Sequence, residues 1–166
     1  LEPYGVEIRE GTVMDIEPRE GRFCVTLMNE SCILARKVLL ATGVVDRIPK
    51  IEGIEQFYGK TVHHCPYCDA WEHRHGRIAV YGRGRGGTGL SLMMKTWTPD
   101  VVLCTDGPSR LHGEERRKLA KFGIDVYEKK IRRLEGTPPR LARIMFEDGT
   151  AIERTGMFFS TGNVQR

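Results

Sequence analysis

Apolar and polar positions alternate along the first part of the chain, and a period of two predicts strands rather than helices. Gly11 to Ile16 alternates, and Phe23, Val25 and Leu27 then alternate with Cys24 and Thr26. Met28-Asn29-Glu30-Ser31 makes a turn before Cys32-Ile33-Leu34, so hairpin strands are expected between Val6 and Leu40. Val38-Leu39-Leu40-Ala41 breaks the alternation. A short continuous apolar run of this kind suits a strand buried on both faces, here ending at Thr42-Gly43. From Val44 to Gly59 the pattern dissolves into mixed charges around Pro49, Gly53 and Gly59, and a linker is expected.

The period then changes. Arg77 to Tyr81 reads as a buried strand, and Leu90, Met93, Met94 and Trp97 recur at helical spacing until Thr98-Pro99 ends the run. Val101 to Cys104 supplies a second parallel strand and closes a βαβ unit. The apolar stripe of its helix reads as core. Glu114 to Phe122 predicts a basic amphipathic helix with Leu119 and Phe122 inward, stopped by Gly123, its charge run a solvated face. Short strands are expected at Ile124–Tyr127, Ile131–Leu134, Ala142–Phe146 and Ala151–Glu153, with a hairpin across Asp148-Gly149. Met157 to Ser160 is the last.

Composition narrows what such a chain can serve. Its 166 residues suffice for one good core or two small ones. The 26 basic and 22 acidic residues give a net charge of +4 with no block of like sign, so no nucleic-acid footprint is expected. No apolar run approaches the ~18 residues of a membrane span, and the residues from Leu1 onward do not read as a secretory signal. Five cysteines, an odd number, do not make a secreted disulfide framework. Cys24, Cys32 and Cys104 stand singly in apolar runs and are expected to be buried, unreactive thiols. A reducing cytoplasm is the expected compartment.

The other two cysteines carry the chemistry. Thr61-Val62-His63-His64-Cys65-Pro66-Tyr67-Cys68-Asp69 holds a Cys-x-x-Cys, which beside a βαβ pattern reads as a redox dithiol. Two sulfurs at this spacing close a disulfide only where the backbone turns, as at a helix start. Proline is favoured at the first helical position, which makes Cys65 the N-cap, where free N–H groups favour a thiolate. Asp69 is placed to hand a proton to a leaving thiolate or take one from an attacking thiol. A zinc site built from the dithiol with His63, His64, His73 and His75 is the competing reading.

Directly after it, Gly82-Arg83-Gly84-Arg85-Gly86-Gly87 forms a Gly-x-Gly-x-x-Gly turn that follows a strand and opens a helix. Gly82 allows the tight turn, Gly84 lets backbone approach a pyrophosphate, and Gly87 lets helix pack on strand. The helix N-terminus adds an anion site. The end of the second strand would meet the adenine ribose, and Asp106, 19 positions past Gly87, is placed for a free 2′-hydroxyl. A carboxylate repels a 2′-phosphate, so NADH is expected over NADPH. Arg110, Arg83 and Arg85 are the counterweight, since any of them could reach a 2′-phosphate. Asp106 also fits a plain turn ahead of Gly107-Pro108.

Taken in order, the strand ending in Ala41-Thr42-Gly43, the His64-to-Asp69 segment, Gly82 to Gly87 and the strand ending in Thr161-Gly162 resemble the thioredoxin reductase family of flavin-dependent pyridine nucleotide-disulfide oxidoreductases. The resemblance covers nearly the whole chain. It implies an α/β, Rossmann-like FAD/NAD(P)-binding three-layer fold with a β-rich remnant of the FAD domain at the N-terminus. Residues 1–43 would end the first FAD segment, with Ala41, Thr42 and Gly43 at the cofactor. Residues 44–60 would link, 61–162 would form the NAD(P)-binding domain carrying the dithiol, and 163–166 would start the link back. By the same resemblance Cys65 exchanges with the substrate disulfide, Cys68 faces the flavin and Asp69 is the general acid. FAD and NADH or NADPH are the implied cofactors, and a thioredoxin-like protein or a small disulfide or dithiol is the implied partner. A homodimer is kept open for the intact enzyme. The family's earlier FAD-binding glycine turn and its late FAD-binding stretch do not occur in these residues. The chain is therefore expected to be an internal fragment, colourless and inactive by itself. Pro66-Tyr67 inside the dithiol resembles a divergent branch that includes oxygen-using dithiol oxidases, which leaves the direction of electron flow open.

Overall fold

The computed structural model describes residues 4–165. The chain separates into two compact units, 1–43 and 44–166, each described by itself. In the first, β1 (Val13–Arg19), β2 (Arg22–Leu27) and β3 (Cys32–Ala35) form an antiparallel meander. Glu20 and Gly21 both adopt left-handed φ, +49° and +75°, as the turn that matches strand twist requires. The strand expected at Val38–Ala41 does not form, and Leu39 is 90% exposed. A strand buried on both faces needs a neighbour at each edge, and the described residues of this unit offer it none. Cys24 and Cys32 also depart from expectation. The hairpin register sets Cys32 opposite Thr26 and two residues from Cys24, so their Cα atoms lie 5.6 Å apart and the sulfurs are joined.

The second unit opens with β4 (Val44–Asp46), a 3-10 turn (Ile54–Gln56), β5 (Val62–His63) and the single-turn helix α1 (Pro66–Asp69). β6 (Ile78–Tyr81), α2 (Gly84–Met94) and β7 (Val101–Cys104) make the βαβ unit, followed by α3 (Gly113–Lys121) and β8 (Asp125–Tyr127). β9 (Ile131–Thr137), β10 (Arg140–Phe146) and β11 (Ala151–Glu153) form an antiparallel sheet, and β12 (Gly156–Phe159) and β13 (Asn163–Gln165) end the order. The central sheet is parallel, ordered β5-β12-β6-β7-β8. β13 returns to pair with β4.

Three layers result because the central strands are apolar on both faces. Ile78, Val80, Leu103 and Phe158 pack under Leu90 and Met94 of α2 and Leu119 of α3. Ala79, Val102, Met157 and Phe159 face Leu134, Leu141, Ile144 and Phe146 of the antiparallel sheet. Residues 44–60 are built into this second core rather than linking across it: Ile51, Ile54 and Phe57 are buried. Gly53 makes the approach possible. At φ +84° it sits where an added Cβ would lie 2.9 Å from the Leu134 carbonyl oxygen. α2 stops at Met94, so Trp97 lies past the helix and packs edge-on against Trp71. Phe122, the C-cap of α3, has left the helical stripe and is half-exposed instead of inward. Among the described residues no helix is long and apolar enough to cross a membrane.

Candidate active site

β5 ends at His63, and the chain bends at His64, whose ring takes different partners. The His63 ring is buried against Phe158 at 5.5 Å and His73 at 5.0 Å, whereas His64 turns toward Phe159 at 6.3 Å. The backbone then turns as the spacing predicts: Cys65 is the extended N-cap and Pro66 the first helical residue. Cys65 and Cys68 stand 5.4 Å apart at Cα with their sulfurs joined, Cys65 half-buried and Cys68 exposed within this unit. With four residues in α1, the dipole contribution is that of a single turn, and neighbouring side chains decide the electrostatics.

Two histidine–carboxylate pairs flank the dithiol. On one face Asp69 Oδ1 lies 3.4 Å from His63 Nδ1, and His63 Nε2 lies 2.9 Å from the Lys60 carbonyl oxygen and 3.1 Å from His73 Nε2. Burial, then the proximity of His63, hold His73 below the usual imidazole range. On the other face Asp46 Oδ2 lies 3.0 Å from His64 Nδ1 and accepts a short hydrogen bond from the Tyr58 hydroxyl. That hydrogen bond, then burial and the charges of Asp46 and Asp69, push the Tyr58 phenol up to about 12, which keeps it a donor at neutral pH. Asp46 Oδ1 is buried with no hydrogen-bond partner. Beside this second face lies a cleft of about 350 Å³, lined by His64, Pro66 and Tyr67, by Gly86 of the glycine turn, and by Leu90 and Met93 of α2. The α2 stripe expected as pure core thus gives two residues to a cleft.

The glycine turn has the predicted backbone. A Cβ on Gly87 would lie 2.7 Å from the Gly82 carbonyl carbon, so only paired glycines let α2 sit on β6, and Gly84 has φ +51°. The Gly84 N–H, however, donates to the Ser109 carbonyl oxygen at 2.8 Å. Arg83 folds over the end of β7, its Nε donating to the Thr105 carbonyl oxygen at 2.6 Å and its guanidinium to that of Asp106. Asp106 stands at the strand end, where Oδ1 accepts from the Ile131 N–H at 2.9 Å and Oδ2 lies 3.8 Å from Arg83 and 4.0 Å from Lys130. Its side chain therefore serves the turn as well as facing outward. Arg110 is exposed on the same loop, at φ +55°. Ala41, Thr42 and Gly43 belong to the first unit and are exposed.

A glycine turn and a bonded dithiol, with Gly86 of the one and the neighbours of the other lining one cleft, match a known family of proteins. The model for pyridine nucleotide-disulphide oxidoreductases matches residues 3–166. The chain belongs to that family. A thioredoxin reductase of Claviceps purpurea is 31% identical over 127 residues, 70% of this chain and 39% of that protein. Among solved structures, HlmI is 31% identical with a TM-score of 0.85 over 98% of this chain and 52% of its own. The atypical thioredoxin reductase TRi from Desulfovibrio vulgaris Hildenborough is 32% identical with a TM-score of 0.66 over 99% of this chain and 55% of its own. The oxidoreductase chain thus spans 39% of that curated relative and about half of the solved ones.

Of the histidines weighed as zinc ligands, His63 faces Asp69 and His73, and His64 faces Asp46. The sequence did not single out Asp46 or Tyr58, and His63 and His64 were weighed there only as zinc ligands; their carboxylate partners come from the fold. A hollow of about 900 Å³, bordered by Arg77, Arg133, Arg143, Glu135 and Glu153, shares no lining residue with dithiol or turn. Its arginines are already ion-paired.

Proposed function

We propose that this chain is the nucleotide-turn and dithiol part of a flavin-dependent disulfide oxidoreductase of thioredoxin reductase type. The observation that supports the reading is the Cys65–Cys68 pair at the start of α1, whose neighbours His64, Pro66 and Tyr67 line one cleft with Gly86 of the glycine turn. When bound, NAD(P)H supplies a hydride and FAD carries the electron pair to the cysteines. Cys65 exchanges with a thioredoxin-like protein or a small disulfide. Cys68, exposed in this unit, turns to the flavin, and Asp69 with His63 handles its proton. Residues 1–43 end the first FAD segment, with Ala41, Thr42 and Gly43 at that cofactor; 61–162 are the NAD(P)-binding domain, and 163–166 lead back. The enzyme is cytoplasmic. The 166 residues alone are expected to bind no FAD and to be colourless when purified, which an absorbance spectrum checks; stable flavin absorbance would contradict it.

The paired glycines and the α2 N-terminus fit a pyrophosphate. Asp106 at the β7 end favours a free ribose, so NADH is expected to bind about tenfold or more tightly than NADPH. Calorimetric titration of the chain with both nucleotides checks this. Tighter NADPH binding that weakens in Arg110→Ala would assign the loop to a 2′-phosphate.

A second reading has its own support. The Gly84 N–H is already engaged by Ser109, and Arg83 covers the β7 end, which favours an enzyme that takes electrons from a substrate dithiol and passes them through FAD to oxygen. One experiment separates the directions. In the complete flavoprotein under argon, NADH that produces two new thiols at Cys65 and Cys68 supports the reductase. No thiols from either nucleotide, together with oxygen uptake driven by a small dithiol, assigns the oxidase.

A further inference from the structure

We infer that Cys24 and Cys32 form a second thiol–disulfide site, opened by a small thiol such as glutathione at the exposed sulfur of Cys32 and closed again by the matching disulfide. The register of β2 with β3 sets Cys32 opposite Thr26 and Cys24 opposite Leu34, so both sulfurs lie on one face of the meander. Their Cα atoms are 5.6 Å apart, inside the range that a disulfide bridges. The hairpin itself sets that spacing. Its ladder runs from Phe23–Ala35 to Thr26–Cys32, the Leu27 N–H donates to the Ser31 carbonyl oxygen at 2.9 Å, and the Ser31 hydroxyl donates to Asn29 Oδ1 at 2.6 Å. None of these contacts uses a sulfur, so the pair stays preformed when its bond is open.

The two sulfurs differ in access. Cys32 begins β3, an edge strand of the meander, and is exposed in this unit, whereas Cys24 is buried. An attacking thiolate therefore meets Cys32, and Cys24 is the leaving group. The Thr26 hydroxyl, 3.8 Å from Cys24 Sγ, is placed to donate to the departing thiolate, a positioning role. In the cytoplasm proposed above, glutathione keeps thiols reduced, and a disulfide that forms there is usually transient or redox-sensing. Among the described residues β3 pairs with β2 alone, so the bond is the covalent fastening of an edge strand and its opening loosens that strand.

The steps balance with glutathione as reductant. Its thiolate attacks Cys32 Sγ; a Cys32–glutathione bond forms, the Cys24–Cys32 bond breaks, and Cys24 leaves as a thiolate that takes a proton from water. A second glutathione thiolate attacks the glutathione sulfur of the mixed disulfide, forming glutathione disulfide and releasing Cys32, which is protonated in turn. One protein disulfide is reduced to two thiols, and two glutathione thiols are oxidised to one disulfide. Closing reverses each step with glutathione disulfide as oxidant.

The test treats the oxidised 166-residue chain with excess glutathione, without denaturant, followed by acid quenching and differential alkylation. Trypsin releases Phe23 to Arg36 as one peptide holding both cysteines, and its mass counts their thiols. Both thiols are expected to appear together and to close again in glutathione disulfide, at rates unchanged in a Cys65→Ser/Cys68→Ser chain. With glutathione disulfide, Cys24→Ser should take up one glutathione at Cys32 at least about tenfold faster than Cys32→Ser takes it up at Cys24. Thr26→Val is expected to slow opening about threefold or more, and Thr26→Ser, which keeps the hydroxyl, to restore it. Deuterium exchange should quicken at the β3 amides of the reduced chain and keep its rate in β6 and β7. A 23–36 peptide still bonded in excess glutathione makes the pair a fixed staple and overturns the inference, as does one that stays as two thiols in glutathione disulfide. Equal uptake by the two single-cysteine variants overturns entry at Cys32. The peptide is scored apart from residues 65–68, so loss of exchange there alone overturns the dithiol reading and leaves this site supported.

Discussion

Cys65→Ser is expected to lower thiol–disulfide exchange by roughly a thousandfold or more, the scale at which loss of a nucleophile acts in other covalent catalysts. The thiolate is the reacting species, and apart from Cys68, assigned to the flavin side, no sulfur among the described residues can stand in for it. Cys104 is the free cysteine among the described residues, buried at the end of β7 with its thiol pushed up to about 12 by desolvation. Cys24 and Cys32 lie in the other unit and are joined to each other. Cys68→Ser should behave differently. Cys65 can still attack, but with no second sulfur to resolve it the mixed disulfide accumulates. Exchange with glutathione disulfide, read by mass on the 65–68 peptide, separates the two variants. Equal and modest losses would remove the asymmetry assigned to the pair.

Phe158→Ala is expected to destabilise the second unit by about 3–5 kcal/mol, the usual cost of emptying a large aromatic site in a core. Phe158 is 0% exposed, at the centre of the sheet where β12 lies between β5 and β6. Its ring packs with the α2 and α3 core on one side and against His63 and His73 on the other, at 5.5 and 5.8 Å. The same substitution should therefore loosen the His63–Asp69 pair. Urea unfolding measures the first effect, and the rate at which Cys68 is alkylated in the reduced chain measures the second. A loss below about 1 kcal/mol would mean that the neighbours collapse into the space and that Phe158 does not hold the layer.

What was legible in the sequence was local. The period of two announced β1 to β3, and the glycines after Tyr81 announced both the turn and the packing of α2, because glycines at those spacings are required by backbone contact. The Cys65-Pro66 start of α1 was legible for the same reason. What failed was non-local. β12 inserts between β5 and β6 from the far end of the chain, and nothing in its own apolar run says so. Asp46 meets His64 only because residues 44–60 fold onto the sheet, and that segment looked like a linker because its three buried side chains are separated by charges and glycine. Val38–Ala41 was misread in the opposite sense, since an apolar run predicts a buried strand only where a sheet is present to receive it. The 24–32 disulfide depends on a hairpin register that composition does not carry.

The most direct measurement is a redox titration of the five cysteines, with the chain equilibrated in dithiothreitol and glutathione buffers and each peptide scored by differential alkylation. The account predicts that Cys65 and Cys68 convert together and reversibly between thiols and disulfide, while Cys104 stays reduced and unreactive throughout. Cys65 and Cys68 remaining as thiols in oxidising buffer, with one zinc bound per chain through both sulfurs, would contradict it.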